Sequence, residues 1–240
     1  MINPLARKLS SFVDLSPDDC RHLDDLCTDT RTWGAGGTLI REGERPEVVF
    51  LLLDGWACRY KLLPDGSRQI MAYLIPGDLC DIHIFILKAM DHSIGLLSEA
   101  NVAAISKAAM QRTLEERPAI ARALFWSTLV DEATLREWLV NVGCRSAIER
   151  IAHLFCELLV RLQVVGFASE NSYEFPVTQL DLADTVGLSN VHVNRSLQEL
   201  RRQGVIELKG RTLTILDRQR LKAIAEFNSK YLHLGTRAAA

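Results

Sequence analysis

Residues 176–216 read PVTQLDLADTVGLSNVHVNRSLQELRRQGVIELKGRTLTIL. Thr178 is a good N-cap, and Leu180, Leu182 and Ala183 give the helix it opens an inward face. At Val186-Gly187-Leu188 the glycine accepts the positive φ that ends a helix, and its apolar neighbours dock into a core. Ser189 then caps a second helix whose buried line is Val193, Leu197 and Leu200. Asn190, Val191, His192, Asn194, Arg195 and Gln198 are left on or near the outer face. Gly204 ends this helix. Val205–Leu208, a Lys209-Gly210 turn and Arg211–Ile215 then make a two-stranded wing with a basic tip. Two short helices joined by a Gly-containing turn form a helix-turn-helix, whose second helix enters the DNA major groove near its N-terminus.

The overall charge of -2 and pI near 6.3 hide an asymmetry. From Gly143 onward the balance is about +3, and before it about -5. Between Ser189 and Lys222, Arg195, Arg201, Arg202, Lys209, Arg211, Arg218, Arg220 and Lys222 face only Glu199, Glu207 and Asp217. Local contacts, rather than total charge, set phosphate binding through counterion release. Arg195 is the strongest candidate for direct base reading, because a guanidinium pairs bidentately with guanine O6 and N7. Asn194 can do the same for adenine, and His192, Asn190 and Val191 stand where they can reach base edges. Thr178, Gln179, Ser189, Arg201, Lys209 and Arg211 are assigned to phosphates, which position the protein without specifying sequence.

Upstream, Ser16-Pro17-Asp18-Asp19 is a helix start, with a helix expected to about Cys27. From Arg31 to Ser106, glycines at 34, 36, 37, 43, 55, 66, 77 and 95 punctuate short apolar stretches, as in a small β-barrel or jelly-roll-like sandwich. Pro64-Asp65-Gly66 reads as the turn of a hairpin. A short helix over 107–117 is followed at Pro118 by a long one to about Val142, which Gly143 is expected to break; another helix runs from Ser146 to about Leu162, and 164–175 reads as loop. The long helix is apolar on more than one face. Leu124, Leu135, Trp138 and Val142 fall on one heptad-like line, so one face is expected on the roll and this line against a second copy of the chain. The fold class is α+β: a β-roll sensor domain (1–117), a dimerisation helix (118–143) and a winged helix-turn-helix DNA-binding domain (144–240).

This order of elements, and TQLDLADTVGLSNVHVNRSLQELRRQGVI above all, resembles the Crp/Fnr superfamily of transcription regulators, that of the cyclic AMP receptor protein. The resemblance implies that Arg195 is the recognition-helix arginine, and that Val191 stands where many members carry a glutamate. It also places the effector pocket at Gly77, Asp78, Asp81, His92 and Ser93. Cyclic-nucleotide binders there use a Gly-Glu and an Arg-Ser pair, and a mostly neutral His92 is a poor substitute for a phosphate-neutralising arginine. Iron–sulfur members use closely spaced N-terminal cysteines. Cys20 and Cys27 are seven apart with no third nearby, while four thiolates are normally needed. Cys58, Cys80, Cys144 and Cys156 are scattered, and none of the six cysteines forms C-x-x-C. Haem or metal at His83, His92 or Cys80 lacks ligand spacing. No cofactor and no metal are expected.

Two other readings remain open: an enzyme with a cupin-like metal site, which His83 and His92 alone do not furnish, and an interaction platform with a structural winged helix. The apolar run Val48–Leu53 stops at Asp54, short of the ~18–20 residues of a membrane span. MINPLARKLSSF has no signal-peptide core. The expectation is a cytoplasmic homodimer, with double-stranded DNA and RNA polymerase as partners. Its roll either senses an unidentified signal or is effector-independent.

Overall fold

The glycine-punctuated stretches become short strands in the computed structural model, which describes residues 3–82, 86, 87 and 89–234. β1 (Thr30–Trp33), β8 (Ala100–Ser106), β3 (Val48–Asp54) and β6 (Leu79–Cys80) form one antiparallel sheet in that order. β2 (Thr38–Ile40), β7 (Ser93–Leu96), β4 (Ala57–Leu62) and β5 (Arg68–Leu74) form the second. Leu39, Val49, Leu52, Ile94, Leu96 and Val102 are buried in one cluster between the strands. The predicted hairpin joins β4 to β5, with Gly66 at φ 86° and Leu63 N–H donating to Ser67 O at 2.8 Å.

Two helices precede the roll. α1 (Pro4–Ser10) starts at an Asn3 cap, and α2 (Pro17–Asp25) at a Ser16–Asp19 capping box. α1 had no expectation from sequence. It lies so close to the roll that a Cβ at Gly77 (φ 92°) would stand 2.7 Å from Pro4 O, which is why that turn requires glycine.

After α3 (Lys107–Glu116), α4 runs from Pro118 to Cys144, 27 residues in all. Gly143 does not break it. A glycine weakens a helix interior by only about 1 kcal/mol, and the last turns are held by Arg145 on Glu137 (2.6 Å) and Asn141 on Arg150 O (3.2 Å). The chain turns instead at Arg145, and Ser146 caps α5 (Ala147–Val165).

The faces of α4 differ from the heptad line expected of it. Leu124 and Trp138 are buried within the protomer, and Leu135 is exposed. Val142 is half-buried, its methyl near the Gly187 turn. Trp138 packs edge-on against Tyr73 of β5 (5.7 Å) and donates its indole N–H to Glu157 (3.0 Å). The outward apolar residues are Phe125, Leu129, Leu135, Leu139 and Val140, with Glu132 and Arg136 salt-bridged between them (2.5 Å). Periodicity finds the two apolar faces of a helix. It does not say which one the roll takes.

The 164–175 segment, expected to be loop, contributes β9 (Ser172–Glu174), which pairs with the wing strand β11 (Thr212–Ile215); β11 in turn pairs with β10 (Ile206–Lys209). Three residues between polar neighbours carry too little alternation to reveal a strand. α8 (Arg218–Ala225) and a 3-10 turn (Ser229–Leu232) bring the chain back over α5 and α4.

There His153, 1 % exposed, lies between Phe227 (5.1 Å) and Tyr231 (5.9 Å) and 3.3 Å from Glu137. Burial, reinforced by the Arg145 charge, outweighs Glu137 and pulls the imidazole down to about 4 from 6.5. The folded pKa lies below the unfolded one, so the unfolded chain binds this proton first. His153 therefore contributes stability above about pH 6.5 that is lost as pH falls towards 4. The melting temperature should drop across that window, and the drop should be smaller in His153→Gln; identical profiles would refute the assignment.

Candidate nucleic-acid interface

α6 (Gln179–Val186) and α7 (Asn190–Arg202) form the helix pair anticipated from sequence, with Gly187 at φ 64° between them. Val193, Leu197 and Leu200 are buried below α7, as their spacing requires. Leu182, Ala183 and Val186 face inward on α6, but Leu180 does not: it is 56 % exposed, because α6 starts only one residue before it.

On the outer face, Asn190, Val191, His192, Asn194, Arg195 and Gln198 are all exposed. Arg195 makes no hydrogen bond or ion pair with any described residue, so its guanidinium faces solvent free to pair. Asn194 Nδ2 donates to Gln179 Oε1 (3.3 Å), tying the recognition helix to the first turn of α6. His192 is drawn back instead. Its Nδ1 lies 3.1 Å from Ser189 Oγ, the group that caps α7.

The cations divide into two sets. Arg202 lies bidentate on Glu199 (2.7 and 2.9 Å), and this bond holds the Glu199 carboxyl down to about 2. Arg218 donates to Glu170 O and Arg220 to Gln203 O. The Arg201, Lys209, Arg211 and Lys222 side chains have no such partner among the described residues and, with Arg195, constitute the available positive charge of this stretch. Thr178 is less available for a phosphate than its position suggests. Its hydroxyl and N–H both serve Asp181 in a capping box (2.6 and 3.1 Å), and that carboxylate stands at the helix N-terminus.

Of the residues placed in an effector pocket, Asp78, Asp81 and His92 line one groove, while Gly77 and Ser93 are not part of that lining. Asp78 is buried, with Lys8 Nζ at 2.7 Å and Arg161 Nη2 at 2.9 Å. Burial opposes its charge, but the Lys8 and Arg161 cations prevail and hold its pKa below the usual carboxylate value. Asp78 is thus a structural ion-pair partner, and Gly77 beside it is spent on the approach of α1. Ser93 Oγ accepts from Glu42 N–H (3.0 Å). His92 lies between two carboxylates, with Nδ1 2.6 Å from Asp91 and Nε2 3.5 Å from Asp81. They border a groove of about 540 Å³ between roll and α4, also lined by Arg59, Lys61 and Asp131. Where the resemblance calls for an arginine against a phosphodiester, His92 stands flanked by carboxylates instead. His83 lies outside the described residues.

Burial raises Cys58, Cys80 and Cys156 to about 12, and Cys27 upward, its thiol bonded to Asn3 and Leu23 O. Among the described residues no three His, Cys, Asp or Glu side chains are grouped to hold a metal.

Two family models match, the Crp-like helix-turn-helix domain over residues 149–224 and the cyclic nucleotide-binding domain over residues 30–117. The nitrogen fixation regulation protein FixK of Bradyrhizobium diazoefficiens is 30% identical over 193 residues, 80% of each chain. The chain belongs to the Crp/Fnr superfamily of transcription regulators. The transcriptional activator protein FnrL of Cereibacter sphaeroides is 26% identical over 78% of this chain and 75% of its own. Among solved structures, FixK2 from Bradyrhizobium japonicum superposes with a TM-score of 0.70 at 24% identity, covering 88% of this chain and 98% of that one. These Crp/Fnr relatives are transcription regulators rather than enzymes, and the DNA-binding fold is theirs.

In this Crp/Fnr member the reading head is fastened to the roll by contacts that local pattern could not disclose. Arg68 of β5 reaches two carboxylates of α6, Asp181 (2.5 Å) and Asp184 (2.7 Å). Tyr73 OH lies 2.6 Å from Thr185 Oγ1, and Gln69 Nε2 donates to Thr185 O (3.3 Å). The only signal in the sequence was a lone arginine after a hairpin turn. Arg68→Ala should lower unfolding stability by about 1–2 kcal/mol and speed amide exchange in α6 more than in β3. Unchanged α6 exchange would show that the clamp carries no weight.

Proposed function

We propose that the chain works as a cytoplasmic homodimer that reads a pseudo-palindromic duplex site and contacts RNA polymerase as an activator. The observation that carries the reading is the exposed Arg195 guanidinium on the outer face of α7, which, like Arg201 on the same helix and Lys209 and Arg211 on the wing, has no ion-pair partner among the described residues. That arrangement combines a base reader with phosphate anchors. Activation rests on relatives named as transcriptional activators, FnrL and the Rhodopseudomonas palustris protein AadR among them. No helix of the described residues is long and apolar enough to cross a membrane.

The homodimer reading rests on α4. Phe125, Leu129, Leu135 and Leu139 leave an apolar stripe along a 27-residue helix, and a second copy covers such a stripe symmetrically. Two-fold symmetry then places half-site centres about one helical turn of DNA apart. The groove beside His92 is read as a sensor of a signal other than a cyclic nucleotide, and no cofactor or metal is proposed.

The test is a salt series of the full-length protein on random duplex DNA, in which affinity should fall steeply as salt rises. No binding even at low salt would overturn the reading. Arg195→Ala should cost about 1–3 kcal/mol and relax one base position per half-site, whereas Lys209→Ala should weaken all sequences evenly. An unchanged sequence preference in Arg195→Ala would refute its role.

Leu129→Asp combined with Leu139→Asp should halve the mass measured by light scattering while the protomer stays folded. Trp138→Ala should instead destabilise the protomer by about 3–5 kcal/mol. A double variant that stays dimeric would exclude the α4 stripe.

A further inference from the structure

Val191 stands in the first turn of α7 and is 66 % exposed, one helical turn before the free Arg195 and three residues before Asn194. Asn194, Arg195, Gln198, Glu199 and Arg202 border the same outer groove, and Val191 is its single apolar member. Every other position there offers a donor or an acceptor. Val191 offers neither.

In the major groove the edges of guanine, cytosine and adenine present polar atoms, and thymine alone adds an apolar group, its C5 methyl. Valine set against a polar edge would strip water from that edge and return no hydrogen bond. Set against the methyl it buries apolar surface on both partners. The neighbouring polar groups do not compete for the position. Asn194 is oriented by Gln179, and its Oδ1 and second Nδ2–H remain for an adenine, while Arg195 suits guanine. Four residues of helix advance about 6 Å, and successive base pairs are about 3.4 Å apart. The base under Val191 therefore lies within two base pairs of the guanine under Arg195.

Building on the regulator reading above, we propose that Val191 is a specificity residue that selects a thymine by its C5 methyl, within two base pairs of the guanine contacted by Arg195.

The experiment starts from a duplex site enriched from a random library by the full-length protein. Each thymine of the half-sites is then replaced by deoxyuridine, which removes only the methyl, and Kd is measured at fixed salt. Wild type should lose about 3- to 10-fold at one half-site position, in line with burial of a single methyl. Val191→Ala, an exposed change that leaves the fold intact, should bind thymine and uracil alike there while keeping the guanine preference. Val191→Glu should shift selection at that base pair towards cytosine, whose N4 donates to a carboxylate. A flat uracil scan, or a methyl dependence that survives in Val191→Ala, would overturn the assignment. Failure to enrich any sequence would instead overturn the regulator reading on which it rests.

Discussion

Arg161, half-buried, lies between two buried carboxylates, Asp78 at 2.9 Å and Glu157 at 3.2 Å, and the arrangement of the molecule depends on what those carboxylates also hold. Asp78 takes Lys8 from α1. Glu157 takes the indole of Trp138 from α4 and the phenol of Tyr231 from the C-terminal turn. Arg161 itself donates to Tyr73 O on the roll. Burial pushes the Glu157 carboxyl up, and Arg161, Tyr231 and Trp138 oppose that push. Removing one member would strand a charge in the interior, which costs far more than the intact set contributes. The N-terminal helix, roll, long helix, α5 and C-terminal turn thus share one polar joint, and none can shift alone without breaking it.

Above this joint lies the second fastening. Arg68 and Tyr73, both on β5, hold α6 from the roll side, while Arg150 of α5 donates to Val186 O at the end of α6 (2.9 Å). Trp56, Tyr73 and Trp138 belong to the same apolar cluster as Val193 and Leu197 of the reading head. Roll and reading head are therefore packed as one body, joined through β5 and Trp138. The physical content of coupling here is a shared core and a few charged contacts.

α1 occupies the space beside the Gly77 turn, and Asp78 is held by Lys8 and Arg161. Where a phosphate would need a cation, His92 is flanked by Asp81 and Asp91. Asp78, Asp81 and His92 still line one groove, whose arginines Arg59 and Arg161 are held by Asp131, Asp78 and Glu157.

What could be learned from the sequence was local. The turn at Gly187, the caps at Thr178 and Ser189, the hairpin at Gly66 and the buried line Val193–Leu197–Leu200 all follow from φ requirements and helical spacing within a few residues, and the interface inherits its legibility from them. The tertiary structure alone decided the rest: that Leu124 and Trp138 turn inward while Phe125 and Leu139 stay out, that Leu180 is exposed, and that Arg68 meets α6 more than 110 residues along the chain. Burial and ion pairing are properties of neighbours brought from afar, and a residue's own spacing carries no record of which neighbours those are.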